Sequence, residues 1–90
     1  MENIHHAGNR HFIITVGKKV YFESYGKLIA IVNDGKITLN RHYWDYSQTT
    51  AAYRNRFLGM TTKEIKRNIA TGTIKLRTMD SRILVDLHQA

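Results

Sequence analysis

Between Arg10 and Asn40 apolar and polar positions alternate with a period of two, and glycines interrupt the alternation. Phe12, Ile14 and Val16 alternate with His11, Ile13 and Thr15, which puts the two sets on opposite faces of a strand. Gly17-Lys18 follows, and a glycine at the first central position of a two-residue hairpin loop accepts positive φ. Val20, Phe22 and Ser24 then oppose Tyr21, Glu23 and Tyr25, and Gly26 marks a second turn. Leu28-Ile29-Ala30-Ile31-Val32 is apolar at every position, as expected of a central strand covered on two sides. Asn33-Asp34-Gly35 is the strongest hairpin signal, because Asp-Gly accepts the left-handed dihedrals of a type I′ turn. Ile37 and Leu39 alternate with Lys36 and Thr38 beyond it. These segments predict a four-stranded antiparallel meander.

Two helices are expected next. The first runs from about Gln48 to Leu58, with Ser47 or Thr49 as N-cap and Gly59 just past its end. The second starts at Thr61-Thr62-Lys63-Glu64, where Thr61 and Glu64 have capping-box spacing. Ile65 and Ile69, one turn apart, define its buried stripe, and Gly72 closes it. Thr73 to Arg77 alternates again with Ile74 and Leu76 inward, while Ile83-Leu84-Val85-Asp86-Leu87 fits either a strand or a short helix. The fold expectation is α+β: a four-stranded antiparallel β-meander, two short helices, and one or two C-terminal strands. One small domain covers residues 1–90, with residues 1–9 read as a flexible N-terminus.

Composition narrows the class of partner. Ninety residues with 42% hydrophobic content suffice for one compact core. Fourteen Lys and Arg against seven Asp and Glu give a formal charge of +7 and a pI near 10.0, which draws in polyanions, chiefly nucleic acid, or an acidic protein surface. The absence of cysteine excludes disulfides, thiolate metal sites and a Cys nucleophile. The start lacks a signal-peptide pattern and no apolar run approaches the roughly twenty residues that cross a bilayer, so a cytoplasmic protein is expected.

The densest chemistry lies in Tyr43-Trp44-Asp45-Tyr46-Ser47 and Tyr53-Arg54-Asn55-Arg56-Phe57-Leu58-Gly59. Aromatic faces interleaved with guanidinium groups suit base stacking and phosphate contact, and equally suit a small core. At about 100° per residue, Tyr53 and Phe57 share one helix line, Ala51 and Leu58 another, and Arg54 falls between them. Arg54 is then either an anion ligand rimmed by aromatics, or a residue whose stem packs on the core while its head pairs with Asp45 or a carbonyl. The structural role is the favoured one. Arg56 projects from the far side of the helix. Lys63 and Arg67 are i,i+4 neighbours flanked by Lys66, so three cations share one strip that could dock phosphates. Trp44 and Tyr46 are the candidate stacking partners. Tyr21 and Tyr25, beside Glu23, would form a stacking platform if exposed and core if covered by the helices.

Other chemistry is weak. His5, His6 and His11 have no neighbouring carboxylate or Cys to complete a metal site, and no metal or other cofactor is expected. The carboxylates are scattered, and His42 near Asp45 lacks an accompanying nucleophile or phosphate loop. An enzyme is not expected.

Tyr21-Phe22-Glu23-Ser24-Tyr25, Leu28-Ile29-Ala30, Tyr43-Trp44-Asp45-Tyr46-Ser47-Gln48-Thr49-Thr50, Tyr53 to Gly59 and Thr62-Lys63-Glu64-Ile65 together resemble a family of small proteins carried by phages and plasmids of Gram-positive bacteria. The resemblance spans Tyr21 to Leu76 and brings no catalytic residues with it. It implies a mobile-element setting, where short basic proteins are often host-takeover or anti-defence factors, including inhibitors of RNA-guided nucleases. At +7 the chain is not a nucleic-acid mimic. Such an inhibitor would grip guide RNA, target DNA or an acidic patch of the effector. The alternative is a protein–protein adaptor that uses the aromatic segment 43–57 as its hot spot, since Trp, Tyr and Arg are enriched in such spots.

Overall fold

A computed structural model describes residues 2–89. Six strands form one sheet in chain order: β1 (Glu2–Gly8), β2 (His11–Val16), β3 (Lys19–Ser24), β4 (Lys27–Asn33), β5 (Lys36–Asn40) and β6 (Lys75–Arg77). The first five pair antiparallel; β6 pairs parallel to β5. Helices α1 (Gln48–Leu58) and α2 (Thr62–Thr71) supply the long crossover that a parallel pair needs, and α3 (Ile83–Gln89) ends the described chain. The α+β class and the antiparallel meander hold. The meander has five strands rather than the expected four, and one C-terminal strand, β6, follows it.

Turn chemistry sets the register. Asp34 and Gly35 both have positive φ (52° and 82°), the signature of a type I′ turn, whose twist matches that of the flanking strands. Tyr25 and Gly26 repeat that arrangement at 49° and 77°.

Residues 2–8, expected to be flexible, are instead the edge strand β1. It pairs along its length with β2, from Glu2 opposite Val16 to His6 opposite Phe12. Its alternation is hidden because an edge strand carries polar side chains on both faces, here Asn3, His5 and His6. At the other end, Ile83–Gln89 is helical. Leu84 and Leu87, three apart, form its buried stripe, so the period is that of a helix.

The sheet is apolar on both faces. One cross-strand row runs His5, Ile13, Phe22, Ala30, Leu39, Leu76 and faces α1 and α2, where Phe22, Ala30 and Leu39 pack with Ile65 and Ile74. The adjacent row runs Ile4, Ile14, Tyr21, Ile31, Thr38, Lys75, and there Ile14 and Tyr21 pack with Leu28, Leu84 and Leu87 beneath α3. A register shift between Phe22 and Glu23 leaves Ile29 without a partner in β3, so Ile29 and Ala30 both join the first core while Leu28 joins the second. Complete apolarity from Leu28 to Val32 is thereby accounted for.

Candidate nucleic-acid interface

Ser47 caps α1: its side chain accepts from the Thr50 amide at 3.1 Å, and Gly59 closes the helix in the left-handed conformation at φ 68°. That start point turns Arg54 inward, where it is fully buried. Nη1 donates to the Trp44 carbonyl at 2.6 Å and to Asp45 Oδ1 at 3.0 Å. Nη2 donates to Asn55 Oδ1 and Thr62 Oγ1, and Nε donates to Asn55 Oδ1. All five guanidinium N–H groups are used, so Arg54 does not serve as an anion ligand. The carboxylate of Asp45 goes to Arg54, and the His42 amide is bound to Asn40 Oδ1.

The aromatic segment divides. Trp44 is half-buried, packed on the core, with the Arg54 guanidinium 5.1 Å from its ring centre; Tyr43, Tyr53 and Phe57 also pack there. Tyr46 stays 43% exposed, its hydroxyl 3.3 Å from Ser24 Oγ and its ring edge-on to Tyr43. Of the two stacking candidates, Tyr46 is the accessible one. Tyr21 and Tyr25 do not form a platform: Tyr21 is buried under α3, and Tyr25 occupies a turn.

The cations lie outward. Arg56, Lys63, Lys66 and Arg67 are all exposed. The capping box is present in both directions, with the Thr61 side chain accepting from the Glu64 amide and Glu64 Oε1 accepting from the Thr61 amide at 3.0 Å. Those bonds to Thr61 hold the Glu64 carboxyl below the usual range, and Arg67 adds to the effect. Among the described residues, only Arg54 and Arg82 of the fourteen Lys and Arg lie within ion-pair distance of a carboxylate. Asp80, the partner of Arg82, is drawn down to about 2 by the hydrogen bonds from that arginine.

Sequence reasoning missed two features. The first is a sealed polar chain. His11, fully buried, has Nδ1 2.8 Å from the Asn9 carbonyl, which can only accept, so Nδ1 donates and Nε2 meets Ser24 Oγ at 2.9 Å. Ser24 Oγ in turn lies 2.7 Å from Thr50 Oγ1, and the His11 ring stacks on Tyr53 at 3.9 Å. Ser24 and Thr50 are both fully buried, so their contact makes this chain a tie between sheet and helix. The second is a cavity of about 260 Å³ between β1, β2 and α1, walled in part by Ile13 and Phe57 and rimmed by His5, Tyr53 and Arg56.

The opposite face carries a groove of about 440 Å³ lined by Leu28, Ile31, Met79 and Ile83, with Lys19 and Arg77 at its edge. Ile83 in this lining is exposed, as is Val85 elsewhere on α3. Glu23 on this face is buried and lies 2.6 Å from His88 Nε2, which fastens α3 to β3.

Adjacent histidines in a strand point to opposite faces. His6 stacks on Phe12 at 4.8 Å, while His5 lines the cavity on the helix side. No group of three or more His, Cys, Asp or Glu among the described residues is placed to hold a metal ion. No helix among them is long and apolar enough to cross a membrane.

Neither the curated proteins nor the solved structures contain a significant match to the chain. A family model does match, over residues 2–72, which covers every strand except β6 together with both crossover helices. The chain therefore belongs to DUF8033, a family of unknown function.

Proposed function

We propose that this chain is a small, non-enzymatic protein of a phage or plasmid that binds nucleic acid or a nucleoprotein complex. In its most concrete form it is an anti-defence factor that inhibits a CRISPR RNA-guided nuclease. The observation that carries the reading is the disposition of charge. Every Lys and Arg except Arg54 is exposed, and almost none is neutralised by a carboxylate among the described residues. Such a surface attracts a phosphate backbone and gains affinity by releasing its counterions. Arg56 and the Lys63–Lys66–Arg67 strip supply phosphate contacts, and Tyr46 supplies a ring for stacking. The Lys63→Glu, Arg67→Glu double variant keeps the capping box and the buried Ile65, so it should fold. Its affinity for a single-stranded oligonucleotide should fall about tenfold or more at low salt. Unchanged affinity would remove the strip from the interface.

A second reading, a protein–protein adaptor, draws support from the other face rather than from segment 43–57. There Ile83 stands exposed in the groove it shares with Leu28, Ile31 and Met79. It predicts a protein partner that stays bound in a pull-down after nuclease treatment. The nucleic-acid reading predicts that nuclease releases whatever is captured.

A further inference from the structure

The cavity between β1, β2 and α1 joins an apolar interior to a polar rim that is open to solvent. Its wall includes Ala7, Ile13 and the Phe22–Phe57 pair, whose rings stack at 5.2 Å and 16°. At the rim the Arg56 guanidinium lies 5.4 Å from the Tyr53 ring centre. Among the described residues Arg56 has no carboxylate partner, and neither the His5 imidazole nor the Tyr53 hydroxyl has a hydrogen bond. The missing side chain at Gly8 leaves room for that hydroxyl, since a Cβ there would lie 3.3 Å from Tyr53 Oη. Apolar walls with a few convergent polar groups are the usual anatomy of a ligand site. At about 260 Å³ this one is smaller than the roughly 300–1,000 Å³ of drug-sized pockets and suits one planar heterocycle.

We propose that this cavity receives one unstacked base of a single-stranded nucleic acid, with Arg56 on an adjacent phosphate and His5 and Tyr53 on polar edges of the base or sugar. The proposal rests on the nucleic-acid reading above and deepens it by naming the substrate class. Aromatic and aliphatic walls accept the flat face of any base, whereas a cation at the mouth selects for an anionic group just outside. A duplex would first have to unstack and unpair the base, so single strands are preferred.

The test compares an oligodeoxythymidine with an abasic oligomer of the same length and phosphate count, by fluorescence anisotropy. The abasic strand should bind about fivefold more weakly or worse, since stacking of a base on protein rings contributes at least that much. Ala7→Phe, which fills the cavity and leaves every cation in place, should abolish the difference, and Arg56→Gln should weaken both strands. Amide resonances of Ala7, Ile13 and Phe57 in the unmodified protein give a readout that needs no variant. They should shift with the thymidine strand and stay still with the abasic one. Equal affinities and equal shifts for the two strands would overturn the base pocket while leaving phosphate binding intact. Absence of binding by either strand would overturn the nucleic-acid reading as well.

Discussion

Arg54 shows how a residue type that suits phosphate can be withdrawn from it. Its five N–H groups reach Trp44, Asp45, Asn55 and Thr62, so one side chain ties the 43–47 turn, the last turns of α1 and the start of α2. Removing a buried, fully hydrogen-bonded charge orphans its partners and opens a void. Arg54→Ala should therefore cost about 3–5 kcal/mol in urea unfolding. Arg54→Lys should recover little, because an ammonium has three donors and no planar fork. A loss near zero would contradict the structural role. This role was legible from helix geometry, since Arg54 falls inside the apolar arc of α1. The His11–Ser24–Thr50 chain was not legible, because its members come from β2, β3 and α1 and meet only when the sheet and helix are docked.

Among the elements, those with local signals were read closely from the pattern. The Asp34-Gly35 turn, the Ser47 and Thr61 caps and the Gly59 and Gly72 stops all depend on residues within one turn of each other. β1 and α3 depend on distant partners. β1 is polar at an edge, and α3 is so short that Ile83 to Leu87 does not complete two helical turns. The cavity was hidden for the same reason, since its rim joins His5 to Arg56 across the sheet–helix contact. Two tests belong here. Leu84→Ala, which uncovers the core under α3, should cost about 2–4 kcal/mol in chemical denaturation, and no cost would mean that α3 is undocked. The Glu64 carboxyl has a folded pKa below its ordinary 4.5, so its contribution is complete above about pH 4.5 and is lost as pH falls through the folded value. The gap in melting temperature between the unmodified protein and Glu64→Ala should be constant near neutral pH and should narrow in acid. A gap that persists at low pH would contradict the capping role of the ionised form.

For the whole molecule, the buried charged groups find polar partners inside the fold and the outer surface is left cationic. Arg54 meets Asp45 and Glu23 meets His88, while Arg56, Lys63, Lys66 and Arg67 stand in solvent with Arg10, Lys18, Lys19, Lys27 and Lys36. This excess of one sign does nothing for the fold, which would be more stable with the charges balanced. A polyanionic partner gives it a use. The central claim is tested most directly by titrating a single-stranded oligonucleotide across salt concentrations. Log affinity should fall linearly with log salt, with a slope of about −0.7 for each phosphate contacted, so the four cations of the proposed interface predict a slope near −3. The Lys63→Glu, Arg67→Glu variant should flatten that slope. Failure to bind at the lowest salt, or an affinity indifferent to salt, would contradict the account.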